Sequence, residues 1–394
     1  MDRRQFIINS SLASGWALLP GFLKPLEKLG KNSSQKNLVI IQFSGGNDWL
    51  NTIVPFKNDL YYKNRKHIGL TKDNVTLLDK DLAINNQMLP LKEFFDSGEF
   101  AIVNSVGYPN PDRSHFRSMD IWQTGSSSTE VLQTGWLGRY LDSYCKNSYD
   151  AIEVDNYLSL ALKGKSINGL AIKNVNELYK EIKTPYFNDL VNASNLKELN
   201  EDNQGYLYKT LIETNSSVNY VYEKNKLFAN TASYPDTEIG KQLRNIANFI
   251  NSGLTTKVYY VNLPGFDTHV GQVIKQNKLL ATYAEAVNAF IKNLKVINKW
   301  DDTLIFTFSE FGRRVEENAS AGTDHGTAGN VLLFGKNLKK KGIVNQAPNL
   351  ENLDNGDLKY SVDFRSIYKN ILENWLNADA NKIITGDVSP FIIV

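Results

Sequence analysis

An alternation of strand-like and helix-like segments constrains the fold of this chain most strongly. The apolar runs Val258–Val261, Leu304–Phe308 and Asn330–Phe334 have the length of strands that are covered on both faces. Leu279–Asn298 lies between the first two runs, and its apolar residues recur at helical spacing with one polar face. A strand, a helix and a second strand in this order predict a right-handed parallel crossover. We therefore predict an α/β protein with a mostly parallel central sheet.

Segments nearer the two ends of the chain extend this pattern. Leu38–Phe43 and Phe100–Val103 are predicted strands, Ser114–Trp122 is a predicted helix, and Asp363–Leu376 is a predicted closing helix. Residues about 150–250 are rich in Asn, Lys, Glu, Leu and Tyr, and a predicted strand at Gly169–Ile172 is followed by mostly helical patterning. We predict one main domain over residues 37–394, with the 150–250 stretch as a mainly helical insertion or cap.

Composition excludes several classes of protein. The chain has 394 residues, which suits one large α/β domain with an insertion, or two domains. Its 44 basic and 42 acidic residues nearly balance, which argues against a dedicated nucleic-acid binder. Cys145 is the single cysteine, so neither an internal disulfide nor a zinc–thiolate cluster can form.

The amino-terminal sequence resembles an export signal. Arg3-Arg4-Gln5-Phe6-Ile7 matches a twin-arginine pattern, and Phe6–Leu23 is mildly apolar but interrupted by polar residues. We predict that residues 1–30 direct twin-arginine export to the periplasm or cell envelope. The start of a basic amphipathic helix is the alternative, and an uncleaved signal would associate the protein with the membrane.

Acidic and histidine side chains gather at predicted strand ends. Asp48, Asp267 and Glu310 each follow a predicted buried strand, and His269 and His325 lie in loops at the same inferred edge. Carboxylates and imidazoles together suit a divalent metal, with zinc or manganese favoured and either one or two ions. Asp48 could instead be a turn residue, and Asp324 could be a ligand or cap a local turn.

Groups for chemistry on an ester lie near the predicted helix at Ser114. Ser114 is a candidate nucleophile because a helix N-terminus favours a phosphate or sulfate, although it could equally be an ordinary N-cap. His115 could be a ligand, contact the substrate or orient the loop. The basic residues predicted to hold anionic oxygens are Arg113, Arg117, Arg313 and Arg314.

Several longer motifs resemble one bacterial family. They are SGGND at 44–48, RSHFRSMDIWQTG at 113–125, GFDTH at 265–269, and TFSEFGRR with GTDHGTA within 307–328. They are similar to the family catalogued as "domain of unknown function fifteen-oh-one", over nearly the whole chain. That family in turn resembles the alkaline phosphatase-like superfamily of phosphatases, sulfatases and cofactor-independent mutases.

The resemblance implies a three-layer α/β/α sandwich with metal ligands at the strand ends. Asp48 then corresponds to the first-strand metal ligand, Ser114 to the nucleophile, and Asp267 with His269 to the later ligand pair. Glu310 takes the place of the acid in an adjacent Asp-His pair, and His325 resembles the last histidine ligand. In another register, Asp324 and His325 form that adjacent pair.

The sequence departs from the superfamily at Phe311, which stands where a second histidine would be expected. At least one usual ligand is therefore missing in either register. We predict an exported metal-dependent hydrolase of phosphate or sulfate esters, acting on a small anionic ester or a polysaccharide-type substrate. The alternative is a non-catalytic envelope protein that binds or assembles with partners and keeps a degenerate metal site.

Overall fold

Buried apolar strands form a central sheet that carries the candidate site at one edge. The computed structural model describes residues 35–193, 203–226 and 232–394, so the predicted signal at 1–30 lies outside the described residues. The strands are β1 (Asn37–Ser44), β2 (Ile53–Val54), β3 (Val75–Leu77), β4 (Ala83–Asn85), β5 (Phe100–Gly107), β6 (Ala151–Glu153), β7 (Leu170–Ala171), β8 (Val258–Pro264), β9 (Thr303–Ser309), β10 (Gly329–Phe334), β11 (Gly342–Ile343), β12 (Leu353–Asp354), β13 (Asp357–Leu358) and β14 (Val362–Asp363).

The helices alternate with these strands. They are α1 (Asp59–Asn64), α2 (Lys92–Asp96), α3 (His115–Thr124), α4 (Trp136–Tyr144), α5 (Val175–Ile182), α6 (Pro185–Ala193), α7 (Asn203–Asn225), α8 (Glu238–Asn251), α9 (Gln272–Val296) and α10 (Phe364–Asn370). A π-helical turn, Ile371–Trp375, continues α10. Short 3₁₀ turns lie at Trp49–Asn51, Lys72–Asn74, Asn86–Leu91, Ser148–Asp150, Leu160–Leu162, Trp300–Asp302 and Ala380–Lys382. None of the helices in the described ranges combines the length and the apolarity that crossing a bilayer requires.

The central sheet is mixed but mostly parallel. Its order within the described residues is β11-β5-β10-β9-β1-β8-β6-β7, and β14 also pairs with β5. β1 runs parallel to both β8 and β9, and β6 runs parallel to β8 and β7. β10 alone in this sheet is antiparallel to its neighbours, β5 and β9. The amino end of β10 therefore lies at the same edge as the carboxyl ends of β1, β8 and β9.

Helices cover both faces of the sheet because its strands are apolar on both. Val39 and Ile41 belong to one buried cluster together with residues of α8 and α9. Leu38 and Ile40 point the other way, as successive residues of a strand do, and share a second cluster with α3, α4 and α10. The predicted three-layer α/β/α sandwich with a mostly parallel sheet is confirmed.

The stretch predicted as an insertion supplies part of the sheet as well as helices. β6 and β7 form one border of the central sheet. α8 packs onto the core through Ile239, Leu243 and Ile246, which are all buried. The domain division that places an insertion at about 150–250 stays a prediction.

Candidate metal centre

Two loops and one helix start bring four side chains to the carboxyl edge of the sheet. Asp267 and His269 follow β8, His115 is the first residue of α3, and His325 precedes β10. The segment after β9 folds back on the segment before β10 through an isolated bridge between Arg313 and His325. Because β10 is antiparallel, this fold-back carries His325 towards the end of β8.

The three histidine side chains converge on the carboxylate of Asp267. Its Oδ1 lies 2.9 Å from His269 Nε2, 3.2 Å from His325 Nε2 and 3.5 Å from His115 Nε2. The Nε2 atoms of His269 and His325 are 3.0 Å apart. Ligand atoms of His115, Asp267 and His325 all lie within 4.8 Å of one another. Every imidazole thus presents the same nitrogen to one point.

Each imidazole has an acceptor beside its other nitrogen. His115 Nδ1 lies 2.9 Å from Glu310 Oε1, and His325 Nδ1 lies 2.9 Å from the Arg113 carbonyl oxygen. His269 Nδ1 lies 3.5 Å from Asp324 Oδ1. A carbonyl or carboxylate oxygen accepts a hydrogen bond, so the partners at 2.9 Å assign the proton of His115 and of His325 to Nδ1. The Nε2 lone pairs of these two residues then face the common point, as metal-ligating histidines require.

These residues fit a divalent metal. In a tetrahedral shell with bonds of about 2.0–2.1 Å, neighbouring ligand atoms stand about 3.3 Å apart. The three distances to Asp267 Oδ1 and the distance between His269 and His325 are close to this value. His115 Nε2 is buried and has no hydrogen-bond partner within the described part of the chain. A buried polar atom without a partner is unfavourable unless something else satisfies it. Imidazoles with one carboxylate suit zinc or manganese better than magnesium or calcium.

Arg313 holds a fixed positive charge beside this cluster. Its Nη2 donates to Asp267 Oδ1 at 2.7 Å, and its side chain is 0% exposed. Burial alone would raise the pKa of the Asp267 carboxyl, but Arg313 and the neighbouring histidines hold it down at about 2. Glu310 raises the pKa of His115, whereas partial burial lowers that of His325. Asp267 is therefore an anion across the physiological pH range.

The model of a known protein family matches part of the chain. Residues 246–383 match the family model described as Protein of unknown function (DUF1501). This confirms the predicted family resemblance over that stretch, which contains Asp267, His269, Glu310, Arg313 and His325. No curated protein matches the chain.

Solved structures with a similar fold span most of the chain. They include the lipoteichoic acid synthase LtaP from Listeria monocytogenes, at 10% identity and a TM-score of 0.42, covering 90% of this chain and 75% of that one. The PsFucS1 sulfatase from Pseudoalteromonas sp. has 12% identity, a TM-score of 0.41 and coverages of 93% and 72%. The C-terminal periplasmic domain of EcEptC from Escherichia coli, in complex with Zn, has 9% identity, a TM-score of 0.40 and coverages of 92% and 93%. These likenesses are distant, with identities of 9–12%.

Asp48, predicted as a metal ligand, is engaged elsewhere. Its carboxylate is buried and forms an ion pair with Arg65, whose side chain is 0% exposed. Gln272 donates a side-chain hydrogen bond to the same oxygen, and the Leu50 backbone N–H binds the other one at 3.2 Å. The structure therefore does not bring Asp48 into the histidine cluster, because a buried arginine neutralises it instead.

Glu310 and Asp324, the other predicted acidic ligands, lie behind histidines. Glu310 is 0% exposed and accepts hydrogen bonds from the Gly45 backbone N–H at 2.8 Å and from Ser309 Oγ at 3.0 Å, besides contacting His115. Asp324 is largely exposed, and it contacts His269 Nδ1 and Asn318. Both carboxylates orient imidazoles rather than facing the common point.

Two predicted arginines are committed to the protein. Arg313, predicted to steady charge on the substrate, donates to the backbone carbonyls of Gly45, Gly46, Phe266 and Thr323 as well as to Asp267. Full burial keeps its guanidinium from contacting a substrate, so Arg313 fixes the loops of the site. Arg117, predicted to bind substrate, donates to the carbonyls of Ser128 and Glu130 at 2.9 and 2.6 Å.

Ser114 is the N-cap residue of α3 and directly precedes His115. Its side chain is exposed and makes no capping hydrogen bond among the described residues, while its backbone N–H donates to Asp112 Oδ1 at 2.7 Å. The side chain is thus accessible at the residue that precedes His115. Its role as nucleophile stays a prediction.

Sequence reasoning missed the buried polar residues that support the site. Gln272 joins Asp48 to Thr323, whose hydroxyl donates to Gln272 Oε1 at 2.6 Å, and the Thr323 carbonyl binds Arg313. Gln276 lies one turn further along α9 and binds the Asp48 carbonyl at 2.6 Å. The sequence did indicate that these two glutamines are buried, because both lie on the apolar face of α9, four residues apart.

Proposed function

We propose that this protein is a divalent-metal-dependent hydrolase of phosphate or sulfate esters. The observation that carries the proposal is the convergence of three histidine Nε2 atoms on Asp267 Oδ1, each with its Nδ1 beside an oxygen acceptor. His115, Asp267, His269 and His325 would hold one zinc or manganese ion. When bound, such an ion supplies Lewis-acid polarisation of an ester oxygen.

The open side of the cluster leaves access for a substrate. The side chains of Asp267, His269, His115 and His325 are 49%, 39%, 30% and 24% exposed. Supporting residues such as Glu310 and Arg313 are fully buried, so the ligands are fixed from behind and accessible from the front. An ester would need a coordination position besides those of the four residues, and the exposed front is where it would enter.

Ser114 is the proposed nucleophile. Attack by its Oγ would form a bond to phosphorus or sulfur and break the ester bond, while the serine proton leaves with the released alcohol. Water would then hydrolyse the serine ester and restore the hydroxyl. The first-turn backbone N–H groups of α3 lie beside Ser114 and favour the anionic group at this place.

Export through the predicted twin-arginine signal at residues 1–30 belongs to the same proposal. That route carries folded proteins, so it suits a protein that acquires its metal before export. Fractionation of cells that express the full chain, with Arg3→Lys and Arg4→Lys together as the control, tests it. Equal distribution of both proteins between the cytoplasm and the envelope would reject this part of the proposal.

Turnover of esters by the full chain tests the catalytic claim. Metal-stripped and zinc- or manganese-reloaded protein would be assayed on 4-nitrophenyl phosphate, 4-nitrophenyl sulfate and a panel of sugar phosphates and sulfates. We expect activity only after reloading and a loss of about 100-fold or more in Ser114→Ala. Ser166→Ala, at an exposed serine elsewhere, is the control. No turnover by the metal-loaded protein would contradict the proposal.

One observation favours a second candidate, a non-catalytic metal-binding module of the envelope. Arg117 and Arg313 are committed to protein acceptors, and Arg113 is paired with the buried Asp357. The ester oxygens would then lack a free guanidinium. Stoichiometric metal without turnover on the whole ester panel would support this candidate.

A further inference from the structure

A cavity of about 400 Å³ adjoins the candidate metal centre. Its walls come from the loop after β5, from Phe311, and from the segment around β13. The Phe311 ring separates the cavity from the centre, with ring centroids 4.8 Å from His115 and 4.9 Å from His325. Phe311 therefore belongs both to the wall of the cavity and to the ring contacts of two histidines of the cluster. The volume lies within the range of about 300–1,000 Å³ that small-molecule pockets show.

The cavity offers aromatic faces together with oxygen acceptors. Tyr360 supplies the accessible ring, beside the almost fully buried Tyr108 and Phe311, and the acceptors on the walls include Asn110, Asp112 and Asp354. Tyr108 is held rigidly, because its hydroxyl contacts Ser118 Oγ at 2.9 Å and accepts the Asp112 N–H at 3.2 Å. Tyr360 is 40% exposed, so its ring remains accessible to a ligand. Apolar faces with a few placed polar groups are the usual composition of a specific pocket.

Positive charge is scarce in the cavity. Lys359 is the one basic residue among the described residues that line it, and its Nζ donates to Asn352 Oδ1 at 2.6 Å. The nearby guanidinium groups of Arg113 and Arg314 are paired with the buried Asp357. Two carboxylates, Asp112 and Asp354, also line the walls. This balance disfavours a second phosphate or sulfate in the cavity and favours a ligand that is neutral and rich in hydrogen-bond donors.

We propose that this cavity binds the sugar ring of a monosaccharide or glycan ester, whose single phosphate or sulfate group reaches the metal centre past Phe311. Hydroxyl groups of a sugar donate to carboxylate and amide oxygens, and its C–H faces pack on aromatic rings. The inference rests on the proposed function for the position of the ester group. Sugar binding itself depends only on the cavity.

Calorimetric titration of the zinc-loaded full chain carrying Ser114→Ala, which the proposed function predicts not to turn these esters over, tests the inference with matched probes. Glucose 6-phosphate and glucose 6-sulfate carry a ring, whereas ethyl phosphate and ethyl sulfate carry the same ester without one. We expect the sugar esters to bind at least tenfold more tightly, and Tyr360→Ala or Asp354→Asn to abolish that advantage. Tyr157→Ala removes an 82% exposed tyrosine outside the cavity and should preserve it.

Two further arms separate the possible failures. Metal content and binding of the ethyl esters should be unchanged in Tyr360→Ala, because the metal ligands are untouched. The second arm applies if the proposed metal site is wrong. Free glucose should then still bind the His325→Ala variant, and it should bind more weakly to the double variant His325→Ala with Tyr360→Ala. Equal binding of sugar and ethyl esters, or tighter binding of octyl phosphate than of glucose 6-phosphate, would overturn the inference.

Discussion

At the scale of single residues, the candidate centre depends on the oxygen that lies beside the Nδ1 atom of each imidazole. Asp267, His269 and His325 could be predicted from their places at strand ends, whereas the role of His115 remained open. Glu310 was predicted as a ligand because it follows a core strand. Its function depends on His115, which is 195 residues away in the sequence, and no local pattern reports such a contact.

Removing the charge of Glu310 tests its role as a positioning residue. Glu310→Gln should lower zinc affinity by about 10- to 100-fold, because the carboxylate no longer fixes the His115 ring. Glu317→Gln is the matched control, since Glu317 contacts His67 Nδ1 at 2.6 Å outside the centre. Competition titration with a zinc chelator measures both affinities. An unchanged affinity in Glu310→Gln would contradict the assignment.

Substitution of Asp48 should affect stability and not metal affinity, which is the opposite of what a metal ligand would show. Asp48→Asn leaves Arg65 buried without its counter-charge, so the free energy of unfolding should fall by about 3 kcal/mol or more. Zinc affinity of the folded protein should stay within about twofold of the wild type, because Asp48 lies outside the cluster. Denaturant unfolding and chelator competition separate the two effects. A large loss of affinity with unchanged stability would restore Asp48 as a ligand.

At the scale of elements, the directions of strands decide which loops meet. The runs that became β1, β5, β8, β9 and β10 were predicted from apolarity alone. The direction of β10 was not, because it follows from pairing with β5 and β9, which a single run does not encode. β7 lies within the predicted strand Gly169–Ile172, whereas β6 is three residues long, too short to give a periodic signal.

The glycine loop after β1 tests how tightly these elements approach. Gly45 has a φ of +119°, and a Cβ there would overlap the Asp267 backbone nitrogen. Gly45→Ala should therefore displace the β8 loop, lowering both the thermal midpoint and the zinc affinity. Gly253→Ala is the control, because Gly253 also has a positive φ but no atom within 4 Å of its position. Gly253→Ala should lower the free energy of unfolding by only about 1 kcal/mol, from backbone strain, and should leave the zinc affinity unchanged. Equal effects of the two variants would argue against the close approach.

At the scale of the whole molecule, the sheet places ligands at one edge while buried polar groups fix their loops. The Arg313 side chain donates hydrogen bonds to the loop after β1, to the loop after β8 and to the segment before β10. The apolar pattern predicted the sheet and hence the edge. It could not predict this network, because buried arginine, glutamine and threonine look like surface residues in a sequence.

A buried acid remote from these ligands gives the molecule a pH dependence. Burial raises the pKa of Glu153 to about 7 from its ordinary value of 4.5, against the hydrogen bond from the Ser159 N–H. The folded chain then holds a proton that the unfolded chain releases, so the free energy of unfolding falls as pH rises through this window. Glu153→Gln should remove a fall of about 3 kcal/mol between pH 4.5 and 7. Denaturant unfolding at a series of pH values measures this. The same pH dependence of the free energy of unfolding in the wild type and in Glu153→Gln would contradict the prediction.

Metal stoichiometry of the purified full chain tests the central claim most directly. After loading with zinc and dialysis, elemental analysis should find about one ion per chain in the wild type. His67→Ala is the matched control, since His67 is the one histidine of the sequence outside the cluster, and it should keep the ion. His115→Ala, His269→Ala and His325→Ala should each lose most of it. Retention of a full equivalent by all three variants, or its absence from the wild type, would contradict the account.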